Sequence, residues 1–188
     1  AKAYVAQDEQ LNNHTKLHQL NNPLAINMYT LGYDANKKLI TNNEATKENI
    51  KNYLTPFRIL TDSVTLKDAF IINIGLDFEI VTLPGFNSND VLLKCIDEMV
   101  DHFNIDRWQI NEPVILSDIL SLLISVKGVQ SVPTANIINF FDKEQGYSGN
   151  VYDIKTATRD GVVYPALDPS IFEVKYPKSD IKGRVTNI

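Results

Sequence analysis

Val64, Leu66, Phe70, Ile72, Ile74, Leu76, Phe78 and Ile80 all carry even numbers. A period of two places these apolar side chains on one face of an extended chain, because neighbouring residues of a strand point to opposite sides. Asp77 and Glu79 fall on the odd-numbered face, so the strand is expected to bury one side and wet the other. Lys67-Asp68 is expected to interrupt the ladder. A chain holding such a strand must also supply partners for its edges and cover for its apolar face.

The flanking sequence offers both. Pro84-Gly85 marks a turn, and Asn87 or Ser88 can cap a helix with Asp90 in its first turn. Leu92, Cys95, Ile96, Met99, Val100 and Phe103 recur at helical spacing as its expected buried stripe. After a connector holding Trp108, Ile110 and Pro113, Ser117 can cap a second helix facing the core with Ile119, Leu120, Leu123 and Ile124 and stopping at Gly128. A strand over residues 129–141 should pair back onto the long strand. Upstream, residues 24–39 suggest a short strand and a turn. Asn43 or Thr46 then caps a helix whose Ile50, Tyr53, Leu54 and Phe57 lay an apolar stripe toward a core, with Pro56 ending it at Thr55.

The resulting order is β-α-β-α-α-β, an α+β fold with helices packed on one face of a small sheet. Its expected span is 24–141. Residues 1–23, polar and rich in Asn, Gln and His, read as an N-terminal arm or linker. Residues 142–188, divided by Gly146, Gly149, Gly161, Pro165, Pro169 and Pro177, read as a C-terminal extension of short strands, including 161–164 and 171–176.

Composition narrows the function. A net charge of -5 disfavours a phosphate backbone or an anionic membrane surface as partner. The longest apolar runs fall far short of the ~20 residues a spanning helix needs, and no basic-then-apolar signal segment opens the chain. The single cysteine, Cys95, excludes an internal disulfide and fits a reducing compartment. From Ala1 in place of a methionine, and an opening stretch typical of mid-chain sequence, the chain is expected to be a portion of something longer.

No catalytic pattern emerges. His14 and His18 stand four apart and would share a helix face, with Asp8 or Glu9 as a third metal ligand, but the segment is polar and no motif surrounds the distant His102. Asp97, Glu98 and Asp101 interleave with the apolar stripe, as on the solvated face of an amphipathic helix. Ser117 lacks a Gly-x-Ser-x-Gly setting and sits where a cap belongs. Cys95 lies within the apolar stripe, where burial suppresses the thiolate. The glycines form no phosphate-binding loop, and Asn13-His14-Thr15 matches a glycosylation sequon that has no meaning without secretion. No metal, cofactor or small-molecule substrate is expected, and the profile is that of an interaction protein.

From Asn22 through Val185 the chain resembles the baseplate wedge proteins of T-even-type contractile-tail phages, relatives of the baseplate J-like family. The resemblance rests on Asn22-Pro23-Leu24-Ala25-Ile26-Asn27-Met28-Tyr29, on Leu60-Thr61-Asp62 running into Lys67-Asp68-Ala69-Phe70-Ile71-Ile72-Asn73-Ile74-Gly75, on Trp108-Gln109-Ile110-Asn111, and on Tyr164-Pro165-Ala166-Leu167-Asp168-Pro169-Ser170-Ile171-Phe172-Glu173. Val126-Lys127-Gly128-Val129-Gln130-Ser131-Val132 keeps a looser pattern of the wider family.

The resemblance implies a non-enzymatic subunit in the C-terminal portion of such a protein. It would associate with copies of itself as a dimer and in a ring, contact other wedge proteins, and rearrange when the sheath contracts. Its place would be the virion tail baseplate, assembled in the host cytoplasm. The alternative is a monomeric binding module that recruits a partner by strand addition to a sheet edge. Interfaces concentrate aromatic residues at their centres, which makes Trp108, Tyr147, Tyr152, Tyr164 and Phe172 the contact candidates, each equally suited to a core.

Overall fold

The computed structural model describes residues 1–7, 25–57 and 63–186. It is an α+β fold whose elements, in chain order, are β1 (Lys2–Gln7), β2 (Ala25–Tyr33), β3 (Leu39–Ile40), α1 (Glu44–Leu54), β4 (Ser63–Asp68), β5 (Phe70–Thr82), α2 (Ser88–His102), β6 (Val114–Ile115), α3 (Leu116–Ser125), β7 (Val129–Phe140), α4 (Ile154–Ala157), β8 (Thr158–Arg159), β9 (Val162–Val163), β10 (Ser170–Glu173), α5 (Pro177–Asp180) and β11 (Ile181–Val185). The predicted β-α-β-α-α-β order is present, but it is spread over two compact units. One comprises residues 1–70 and 166–170, the other 71–165 and 171–188. The expected boundaries after residues 23 and 141 do not coincide with this division.

In the first unit β2 is central. β1 pairs with it antiparallel, with Lys2 opposite Leu31, and β4 pairs with its other edge in parallel, with Ile26 opposite Val64. The start of the expected N-terminal arm is therefore a sheet strand. Leu31, Leu39, Tyr29 and Ala6 are buried here. The ladder read from the even-numbered residues breaks at Ala69, just after the expected Lys67-Asp68, so β4 and β5 belong to separate sheets. Phe70 consequently stays 47% exposed despite its even number, and its N–H is held by the Pro169 carbonyl at 2.9 Å.

In the second unit β5 is the axis. β7 runs antiparallel along one edge and β11 parallel along the other, with β10 also paired to β5. Ile72, Ile74, Leu76, Phe78 and Ile80 are all at most 2% exposed, as the period of two demands. α2 packs on β11 and α3 on β7, and the helices pack on each other, so both cover the same face. The close approach is visible at Gly183, where an added Cβ would meet both Phe78 and Leu92. On the opposite face Asp77 and Glu79 are partly exposed, and Glu79 accepts from Arg184 Nε at 2.6 Å.

Several local expectations hold and several shift. The Asn87 side chain accepts from the Asn89 N–H at 3.0 Å and caps α2. The buried line of α2 is Val91, Cys95 and Met99, continued by Phe103, while Leu92, Ile96 and Val100 are only half covered. α3 begins at Leu116 without a side-chain cap, because the Leu116 N–H donates to the Gly161 carbonyl across a chain crossing instead; Ser117 is exposed and does not cap. Gly128 takes φ 104° at the turn into β7, a conformation that glycine adopts without Cβ strain. β11, with the sequence Ile-Lys-Gly-Arg-Val, reads weakly as a strand, yet it fills one edge of β5.

Candidate interaction surfaces

α1 is amphipathic as predicted, and Asn43 caps it by accepting from the Thr46 N–H at 2.8 Å. Pro56 ends it where expected, and a 3-10 turn over Thr55–Phe57 follows. Its apolar stripe does not, however, reach a core. No residue of α1 is buried, Ile50 and Leu54 are half-covered, and Tyr53 and Phe57 stand 72% and 74% exposed with ring centroids 5.7 Å apart. The helix is pinned by Lys47, whose ammonium bonds Asp68 of β4 at 2.7 Å and Glu44 at 3.0 Å. Those two hydrogen bonds raise the Lys47 pKa above its usual value. An open groove of about 440 Å³, lined by Lys47, Lys51, Val64 and Leu66 among others, separates helix from strand. Helical spacing identifies an apolar face but not what covers it, so the expected contact is corrected to an exposed one.

The aromatic candidates of the second unit occupy different environments. Trp108 is 6% exposed; its indole N–H donates to the His102 carbonyl at 3.0 Å, and its ring stacks on Phe103. Phe172 is 2% exposed. Both are buried in the core of this chain. Tyr147 stacks on Phe140 and donates to Asp180, and burial together with that carboxylate pushes its pKa well up. Tyr152 donates to the Tyr164 carbonyl at 2.6 Å, and burial raises its pKa too. Of the five, Tyr164 alone is exposed, at 49%.

Asparagines, not the tyrosines, fix the segment that carries Tyr147 and Tyr152. Asn73 accepts from the Ser148 N–H and donates to Glu173, both at 2.7 Å. Asn150 donates to the Ile71 carbonyl at 2.7 Å, and Asn139 accepts from the Tyr152 N–H at 2.8 Å. These bonds satisfy buried polar groups at the end of β5, as a buried backbone requires.

The exposed surface that sequence reading passed over is β7. It pairs with β5, and among the described residues no strand occupies its other edge. Thr134, Asn136 and Ile138 are exposed, the last at 42%. The signal was legible: from Gly128 through Phe141, between Lys127 and Asp142, there is no charged residue. Edge strands ordinarily carry charges that discourage pairing, as β11 does with Lys182 and Arg184.

The groups considered for chemistry do not converge. Asp97 is exposed, and Asp101 is ion-paired to Arg107 at 2.8 Å on the surface. His102 borders a small recess of about 180 Å³ with Trp108, Glu112 and Asp118, and burial lowers its pKa. Cys95 is fully buried, and desolvation followed by the nearby Glu98 charge lifts its thiol to about 11. Among the described residues no group of three His, Cys, Asp or Glu side chains is placed to hold a metal, and no helix is long and apolar enough to cross a membrane. The His14 and His18 pair, with Asp8, Glu9 and the Asn13 sequon, lies outside the described residues.

No family model matches the chain, and no curated protein matches it.

Proposed function

We propose that this chain is a structural assembly subunit of the baseplate wedge type that its sequence resembles. In this reading it associates with copies of itself and with other wedge proteins in the tail baseplate of a contractile-tail phage. It does this by surface complementarity and without a cofactor or a reaction of its own. The observation that carries the reading is the exposure of Tyr53, on a helix with no buried residue, and of Phe57 in the 3-10 turn that follows it. Large apolar side chains clustered in solvent mark an interaction surface, and aromatic residues are the commonest anchors of such surfaces.

Light scattering coupled to size exclusion, over a concentration series spanning two decades, tests it. A stable or concentration-dependent dimer is the expected result; a monomer at every concentration would overturn self-association. The second reading, a monomeric module that binds an extended partner, is favoured by the open edge of β7 and by the sheet-edge recognition mode known for such strands. It predicts a monomer that captures an extended peptide.

A further inference from the structure

We infer that the outer edge of β7 pairs antiparallel with β7 of a second copy, joining two four-stranded sheets into one. The inference rests on the self-association reading above and names the surface responsible. Three observations select a second copy as the occupant. First, the strand is uncharged along its whole length, Val129 to Phe140. Two identical strands brought edge to edge across a two-fold axis place every like charge near its own image, so a strand without charges meets no repulsion. Second, the other side of the same sheet is guarded: β11 carries Lys182 and Arg184, both exposed. The sheet therefore has one edge fit for pairing and one protected against it. Third, from residue 134 onward the exposed side chains are small, amide or apolar, namely Thr134, Asn136 and Ile138. These pack against one another across a ladder and leave no charge to desolvate.

The backbone limits the register. Pro133 has no N–H to donate, so the new ladder falls on residues 134–140, with its two-fold axis at Ile137. Asn136 of one copy then faces Ile138 of the other, and the reverse, on the side away from α2 and α3. On the flank of β7 toward the helices, Ala135 and Ile137 are half covered within one copy, where α3 and α4 contact the strand, and the paired strand adds side-chain neighbours across the new ladder.

Introducing charge into β7 of the full 188-residue chain tests this. A double variant Asn136→Lys with Ile138→Lys, and a second with Asn136→Glu and Ile138→Glu, place like charges opposite each other across the axis. Both positions are exposed, so circular dichroism and the melting midpoint should stay at wild-type values. Each variant alone should dimerise about tenfold more weakly or worse, since two opposed pairs are repulsive, and an equimolar mixture should recover a dimer containing one chain of each kind. Two outcomes overturn the inference while leaving self-association standing: variants that dimerise as the wild type does, and a mixture that gains nothing over its components. A wild-type chain that is monomeric throughout overturns both, and its capture of an extended peptide on β7 would assign the edge to the second reading.

Discussion

The Tyr147 hydroxyl donates to Asp180 Oδ1 at 2.7 Å, while Asp180 Oδ2 accepts from the Tyr176 N–H at 2.8 Å. The carboxylate is only 3% exposed and closes the turn between β10 and β11. Tyr147→Phe keeps the ring stack on Phe140 but strips one donor from this buried acceptor. The expected loss is about 1–3 kcal/mol in urea unfolding, with no change in dimerisation. A change within about 0.5 kcal/mol, the range of an ordinary surface substitution, would show that the bond does not stabilise the fold.

Gly75 lies mid-strand, where a Cβ would strike the Phe140 ring and come within 2.5 Å of the Asp180 carbonyl oxygen. One of those atoms is backbone and cannot swing aside. Gly75→Ala should therefore destabilise the second unit by about 1–3 kcal/mol through overpacking, seen as a lower thermal midpoint. Phe140→Leu in the same chain should return part of the loss, because it removes the ring from the clash.

The Cys95 thiol titrates near its ordinary 9.0 when unfolded and near 11 when folded. The folded chain holds the proton longer, so stability is lost as pH rises from about 9 to about 11, a fall on the order of 2 kcal/mol. Cys95→Ala, less stable at neutral pH through its cavity, should show a shallower decline over that window. A thiol-specific reagent at pH 8 should label native protein only at the rate of opening, many times slower than denatured protein. Immediate labelling of the native chain would contradict the burial.

Tyr53 and Phe57 make contact with each other in the open. Replacing both by Ser should leave the folding free energy within about 0.5 kcal/mol and, if either anchors an association, weaken that association by about 2 kcal/mol or more. Analytical ultracentrifugation separates the two effects. A large loss of stability would instead place the pair in a core.

What the sequence disclosed follows from which interactions are local. The period of two in β5 and the Asn87 cap of α2 depend on neighbours along the chain, and both were readable. So was the return of β7 onto β5, since a β-branched and aromatic run bounded by Gly128 has few other places to pair. The fate of Tyr53 and Phe57 was not readable, because helical spacing reports a stripe and the absence of a covering element is a tertiary fact. Trp108 and Phe172 show the converse: aromatic character suits a core and an interface alike, and here a carbonyl partner and stacking neighbours decide for the core. β11 escaped notice because Lys182 and Arg184 give it the composition of a loop, while its place is fixed by the β5 strand 105 residues earlier, where Arg184 meets Glu79.

That separation bears on the order in which a ribosome can deliver this fold. β5 emerges early, yet one of its edges waits for Ile181–Val185, and the first unit waits for residues 166–170. Loop closure over so long an interval is slow compared with local helix formation. During elongation the β11-side edge of β5 and the uncharged edge of β7 are therefore both open together. A nascent chain arrested before Ile181 presents one more unpaired β5 edge than the finished protein does, and sticky intermediates are the expected result of truncating it there.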